Sequence, residues 1–223
     1  MQQVEPRKTP DMRQERALIR QGHVLVAGID EAGRGAWAGP VVAAAVILPG
    51  GASRLAALRG VRDSKLLSPV QREALSPAIR EKALAVGIGM ASHEEIDAMG
   101  IVPATRLAMR RAVEQLAPAP DALLIDALKL PDVLLPQRVL FHADTLCLSV
   151  AAASVVAKVT RDHLMMELDA QYPGYGFARH KGYGTQIHRQ ALAQLGPSAI
   201  HRMTFEPVRA TADCRRPTAA SDE

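Results

Sequence analysis

A chain of 223 residues, 48% hydrophobic, is long enough to bury a full core and fits one domain with loose ends. Aromatic residues make up only 3%, so Ala, Val, Leu and Ile must build that core, and little is left for the stacking platform of a sequence-indifferent single-strand binder. A formal charge of +4 and a pI near 9.3 suit a polyanionic partner. Cys147 and Cys214 are too few and too far apart for a disulfide framework or a thiolate zinc site, and fit a reducing compartment as free thiols. Gln2 to Arg16 is polar and charged, unlike a secretory leader, and runs such as Pro40 to Leu48 are too short to cross a bilayer, so a cytoplasmic location is expected.

The first twenty or so residues lack apolar periodicity and are expected to form a flexible tail over 1–20. Val24 to Ile29 and Val41 to Leu48 are short Val- and Ile-rich runs, expected as buried strands forming a hairpin across the Asp30 to Pro40 loop. Ser68-Pro69 is a helix start leading into Gln71 to Ala83, with Pro77 as a point of kinking or splitting. Ala85 to Met90 reads as a third strand, and Pro103 to Leu116 as an amphipathic helix. Asp121 to Asp126 and Val139 to His142 give two further short strands. Leu148 to Ala170 is a long helix, buried at its small-residue start and solvated at its charged end, and Thr185 to Leu195 is another helix. The fold class expected is α/β, with a domain over 21–208 and a second flexible tail over 209–223.

Chemistry concentrates where apolar runs end in acids. Asp30 and Glu31 close the first run and are followed by Gly33, Arg34 and Gly35; Asp126 ends Ala122-Leu123-Leu124-Ile125, and Asp144 follows Val139 to His142. Strand ends are where such sheets place their sites. Paired carboxylates beside apolar sequence repel and lose solvation, and a hard divalent ion is their natural partner. Adjacent strand residues point to opposite faces, so Asp30 and Glu31 share one metal centre only if the chain turns there, and the Ala32-Gly33-Arg34-Gly35 stretch is expected to supply that turn. Arg34, between two glycines, is placed to meet a phosphate. His180, His188 and His201 are scattered along the chain and are expected to be structural or solvated, not zinc ligands.

From Val24 to Val208 the chain resembles the bacterial ribonuclease HII family. The resemblance is carried by GIDEAGRG from Gly28 to Gly35, AGPVVAAAV from Ala38 to Val46, and Asp63-Ser64-Lys65-Leu66. It continues in Leu124-Ile125-Asp126, in Asp144 followed by AAASVVAKVTRD from Ala151 to Asp162, and in HKGYGT from His180 and HRMTFEPV from His201. It implies a ribonuclease H-like mixed sheet flanked by helices, with a helical C-terminal extension. It further implies that Asp30, Glu31, Asp126 and Asp144 are catalytic and hold Mg²⁺ or Mn²⁺, two ions during turnover. Gly33, Arg34 and Gly35 would read a ribose 2′-OH and nearby backbone at an RNA–DNA junction, Tyr183 would stack on the following deoxyribose, and Lys65 and Lys158 would contact phosphate or active-site structure. Departures from the family pattern are Ala127-Leu128 for Gly-Asn, His142-Ala143 for Lys-Gly, and Leu66 for a second lysine.

The activity so implied is endonucleolytic hydrolysis of RNA in RNA–DNA hybrids and incision 5′ of ribonucleotides embedded in duplex DNA, leaving 5′-phosphate and 3′-OH, in ribonucleotide removal and RNA primer processing. Two metal ions about 4 Å apart suffice for such a displacement. A monomer is expected. A dinucleotide-binding loop lacks the G-x-G-x-x-G spacing and would place two acids against a pyrophosphate. The remaining alternative is a catalytically silent hybrid-binding protein.

Overall fold

The computed structural model describes residues 9–50 and 55–214, and its centre is one sheet of five strands. These are β1 (Val26–Ala32), β2 (Val41–Ile47), β3 (Ala85–Ala91), β4 (Ala122–Asp126) and β5 (Gln137–Leu140), in the order β3-β2-β1-β4-β5. β1 pairs antiparallel with β2, and β2 with β3, whereas β1–β4 and β4–β5 are parallel, so the sheet is mixed as expected. The hairpin across residues 33–40 is present, but β1 runs on through Asp30 and Glu31, and the turn begins after Ala32.

Both faces of the sheet are covered, which is why every residue of β2 is buried. On one face Ala27, Ile29, Ala43 and Ala45 pack against Ala104, Ala108 and Ala112 of helix α4 (Ile101–Glu114). On the other, Ala44 and Val46 pack against Ala151, Ala152, Val155 and Val156 of helix α6 (Leu148–Gln171). Small side chains on both partners bring helix and strand close. At Gly28 a β-carbon would lie 2.3 Å from the Ser149 carbonyl carbon, so only glycine lets the start of α6 sit on β1.

The remaining elements follow local signals. Helix α2 (Pro69–Lys82) opens with a capping box in which Ser68 Oγ accepts from the Gln71 N–H and the Gln71 side chain accepts from the Ser68 N–H. Pro77 is accommodated without splitting it. Helix α3 (His93–Met99), not expected from periodicity, carries the same device at Ser92 and Glu95 and is too short to show an apolar stripe. After α5 (Ala143–Leu146) and α6 come α7 (Phe177–His180), α8 (Gln186–Leu195) and α9 (Glu206–Cys214), the C-terminal helices. They gather around Trp37, Ala38, Met165, Tyr175, Phe177 and Val208.

The ends differ from expectation. Helix α1 (Arg13–Ile19) occupies the region read as a loose N-terminal tail, with Leu18 buried and Glu15 only 1% exposed. Glu15 Oε1 accepts from the N–H and Oγ of Ser149 at 2.9 and 2.7 Å, placing a carboxylate on the first turn of α6. One buried turn of helix docked through one acid leaves too little periodicity to see in sequence. Helix α9 likewise reaches into the expected C-terminal tail; the rest of the two tails, residues 1–8 and 215–223, lies outside the described residues. Cys147 is a buried thiol that burial pushes well above the usual range. Among the described residues no helix is long and apolar enough to cross a membrane.

Candidate active site

Side-chain alternation along β1 puts Ala27 and Ile29 on the α4 face, and Gly28, Asp30 and Ala32 on the α6 face. Asp30 and Glu31 therefore leave the strand on opposite sides. The turn expected to fold them onto one face is absent, because the strand continues past both; the requirement for a turn is thus corrected, since near the end of the strand Glu31 still acts on Asp30, and Asp126 on both. Asp126 comes one step beyond the last β1–β4 pair, Ile29 with Ile125, so in this parallel register it lies beside Asp30. Asp126 Oδ1 also accepts from the Ala143 N–H at 2.9 Å. That bond holds the turn through His142, at φ 56°, which starts α5 and delivers Asp144.

The four acids form one electrostatic unit. Asp30, 7% exposed, is held well above the usual carboxylate range by burial and then by Glu31, with Asp144 and Asp126 adding to it; the Glu31 N–H, donating to Asp30 Oδ1 at 2.8 Å, opposes only part of this. Glu31 is raised by burial against the pull of Arg34, whose Nη1 lies 3.2 Å from Glu31 Oε1. Asp144, also buried, is pushed up to about 6 by burial, by repulsion from Asp63 and Asp126 and by a side-chain hydrogen bond with Asp63. Asp63, the first residue of the Asp63-Ser64-Lys65-Leu66 motif, caps the turn Ser64–Leu66 and brings a fifth carboxylate to this corner, a role that its place in the sequence does not signal. Burial alone would lower the Lys65 ammonium, but Asp63, Asp30, Asp144 and Asp126 together outweigh it and hold it above its ordinary value.

Such a donor set fits a hard divalent ion: it is all oxygen, it repels itself, and Asp30, Glu31 and Asp144 are disfavoured in the ionised form that a cation would restore. It is open, not a closed cage. Among the described residues no three His, Cys, Asp or Glu side chains are drawn together as a ready-made metal cluster. A hard ion held by such a set would take its remaining ligands from water and substrate oxygens.

Beside Glu31 lies a cleft of about 340 Å³ whose lining includes Gly33, Arg34, Gly35, Lys65, Lys158 and Tyr183. All six expected substrate contacts, from four separate segments, thus meet in one place. Their roles differ in detail. Gly33 has φ 97°, and a β-carbon on it would fall 1.9 Å from Arg161 Nε, so its glycine is required by the packing beneath it. Gly35 has nothing within 4 Å of that position and faces open space. Lys158 is engaged by Asp162 at 2.6 Å, and burial lowers its ammonium. The Tyr183 ring has Arg161 and Lys158 at 5.5 and 5.6 Å from its centroid. A larger groove of about 450 Å³ between α2 and α6, lined by Pro77, Thr160 and His163, contains none of the acids.

His180, His188 and His201, expected to be scattered, come together under this cleft. The His180 and His188 rings stack at 4.4 Å, and the Nε2 atoms of His188 and His201 are 3.0 Å apart. Their bonds set the tautomers: the Ser198 N–H donates to His201 Nδ1, so His201 Nε2–H donates to His188 Nε2, and His188 Nδ1–H donates to the Tyr183 carbonyl. Burial pushes both His188 and His201 down to about 4, so both are neutral. The trio supports the Tyr183 backbone and is no zinc site. Arg161 and Arg202, both 0% exposed, carry no signal of burial in the sequence, where an arginine reads as a surface residue.

Comparison with known proteins agrees with this geometry. The sequence model of the family described as Ribonuclease HII matches residues 27–208. The ribonuclease HII of Dehalococcoides mccartyi is 53% identical over 206 residues, covering 92% of this chain and 96% of that protein. That of Chloroflexus aurantiacus is 56% identical, covering 89% of this chain and 94% of that protein. The crystal structure of ribonuclease H2 from Pyrococcus horikoshii superposes with a TM-score of 0.73 at 26% identity, covering 87% of this chain and all of that one.

Proposed function

The chain belongs to the ribonuclease HII family, and on that premise we propose that it is an endoribonuclease that hydrolyses RNA in RNA–DNA hybrids and incises duplex DNA on the 5′ side of embedded ribonucleotides. The observation that carries the reading is the adjacency of four mutually repelling carboxylates to a cleft lined by Gly33, Arg34, Gly35, Lys65, Lys158 and Tyr183. Asp30, Glu31, Asp126 and Asp144 would hold Mg²⁺ or Mn²⁺, which when bound supplies an activated water and neutralises charge on the phosphoryl and leaving oxygens.

The chain's own groups supply position. Lys65, kept fully protonated by its acidic neighbours, meets the phosphate as a point charge. Gly35, with no side chain to block approach, offers its backbone to the ribose 2′-OH, the group that separates RNA from DNA. Tyr183 presents a ring to the next deoxyribose from a turn held at its N–H and its carbonyl. Arg34 is paired with Glu31, which ties the recognition loop to the acidic corner. Products carry 5′-phosphate and 3′-OH. The unit that does this begins with α1, ahead of residue 21, acts as a monomer in the cytoplasm, and serves ribonucleotide removal and primer processing.

The test is a duplex DNA with one ribonucleotide, run beside a continuous RNA–DNA hybrid with Mg²⁺, with Mn²⁺ and with chelator. Metal-dependent incision on the 5′ side of the ribonucleotide is expected. Tight binding with no cleavage in either metal would establish the silent hybrid-binding alternative in its place.

A further inference from the structure

Two long motifs, Ala151 to Asp162 and His201 to Val208, each contain a buried arginine that the chemistry above does not use. The bonds of both guanidiniums run to backbone carbonyls. Arg161 donates from Nε to Pro40, from Nη1 to Lys181 and from Nη2 to Ala38, at 2.9, 2.9 and 3.1 Å. Arg202 donates from Nε to Gly39 and from Nη1 to Arg34, at 3.0 and 2.9 Å. Packing alone does not need a charge here, and burying one is costly. What a planar fork supplies, and an apolar side chain does not, is a fixed direction for several carbonyls at once.

We infer that Arg161 and Arg202 are positioning residues that join the ribose-reading loop and the Tyr183 turn into one rigid reader of the substrate. In a trans peptide the C=O and N–H point opposite ways. Drawing the Arg34 carbonyl inward to Arg202 therefore turns the Gly35 N–H outward, on the side where Gly35 faces open space. Arg161 lies against Gly33 on one side, under the Tyr183 ring on another, and holds the Lys181 carbonyl two residues before Tyr183. Segments some 150 residues apart in sequence are thus referenced to the same guanidinium. The backbone bond from Trp37 N–H to the Gly182 carbonyl, 2.8 Å, runs parallel to this link.

This inference rests on the proposed activity, and its test separates the two. Steady-state cleavage of the single-ribonucleotide duplex is measured for Arg161→Lys, Arg202→Lys, Tyr183→Ala and the double variant Arg161→Lys with Tyr183→Ala, with thermal melting as the check of folding. Each lysine variant keeps the charge and loses the fork. The expected result is a fall of about tenfold or more in kcat with KM within about threefold, since alignment in the transition state is lost and not general affinity. In the double variant Arg161→Lys costs no more than about threefold beyond Tyr183→Ala alone, because the group it positions is gone. Losses that simply multiply, or that fall on KM alone, overturn the inference. If Arg161→Lys does not fold, Arg202→Lys decides by the same split between kcat and KM. A wild-type protein that cleaves nothing would instead overturn the proposed function.

Discussion

Two buried charge systems flank Gly33, and they are built on opposite plans. On one side Asp30, Glu31, Asp126 and Asp144 repel one another, and Asp30 and Asp144 are raised out of the normal carboxylate range. On the other, Arg161 and Arg202 spend their donors on the protein's own carbonyls, and His188 and His201 are neutral members of a closed hydrogen-bond chain. The acids are unfinished and call for a cation from outside. The arginines and histidines are bonded within the protein, all but the buried Nη2 of Arg202, and what they hold is shape. A buried charge therefore points to a ligand when the groups around it carry the same sign, and to a strut when most of its donors already meet the protein's own backbone.

The largest effect should come from breaking the unfinished side. Asp30→Asn is expected to lower turnover by about a thousandfold or more, as loss of a group acting directly on the reacting centre does, while hybrid binding in a gel-shift assay is largely kept. The same variant should raise the melting temperature of the metal-free protein at pH 8, because one repelling charge is gone. A variant that remained active would remove Asp30 from the centre.

The next contrast lies between the two glycines of the recognition loop. Gly33→Ala drives a β-carbon into Arg161 and strains a backbone at φ 97°, so both the melting temperature and the activity should fall. Gly35→Ala meets open space, and should leave melting within a degree or two while lowering kcat/KM by about tenfold through obstruction of the 2′-OH. Equal melting losses at both positions would contradict the asymmetry.

Titration separates the two systems by sign. The raised acids bind protons more readily folded than unfolded, so their contribution to stability is present in acid and is lost as pH rises through about 6, the value for Asp144. The lowered histidines do the reverse: their contribution is full above about 6.5, the unfolded value, and is lost as pH falls toward about 4. Thermal melts across pH 4 to 8 should show Mg²⁺ raising the melting temperature at pH 8 far more than at pH 5. The acid-side decline should be insensitive to Mg²⁺ and shallower in His188→Phe.

The smallest effect concerns a departure from the family pattern. Ala127 sits at φ 55°, where a β-carbon is crowded and glycine is not. Ala127→Gly should stabilise the fold by about 0.5–1 kcal/mol after the added freedom of the unfolded chain is counted, with activity unchanged, as denaturant titration would register.

The acids were legible because each closes or closely follows an apolar run, although β1 runs on through Ala32 and Asp144 belongs to α5, beyond the end of β5. Ser68 and Gln71, and Pro69 after them, announced α2 for the same local reason. Elements of one or two turns, such as α1, α3 and α5, were not legible, since they are too short to show an apolar stripe; the Ser92 and Glu95 capping box was the one local signal that α3 offered. The histidines, 8 to 21 residues apart in sequence, became neighbours only when α7, α8 and the segment before α9 packed on α6.

By itself the sequence determined the strands, the acids that close or follow their apolar runs, and the family likeness, because these rest on local patterning and on the chemistry of side chains next to one another. Only the tertiary structure decided that Asp30 and Glu31 leave opposite faces of β1, and that Gly33 is shaped by Arg161 while Gly35 faces the cleft. It also decided that two arginines are internal struts. Those are questions of which distant backbone a side chain meets, and burial and hydrogen-bond partners are properties of the folded arrangement, not of any one segment.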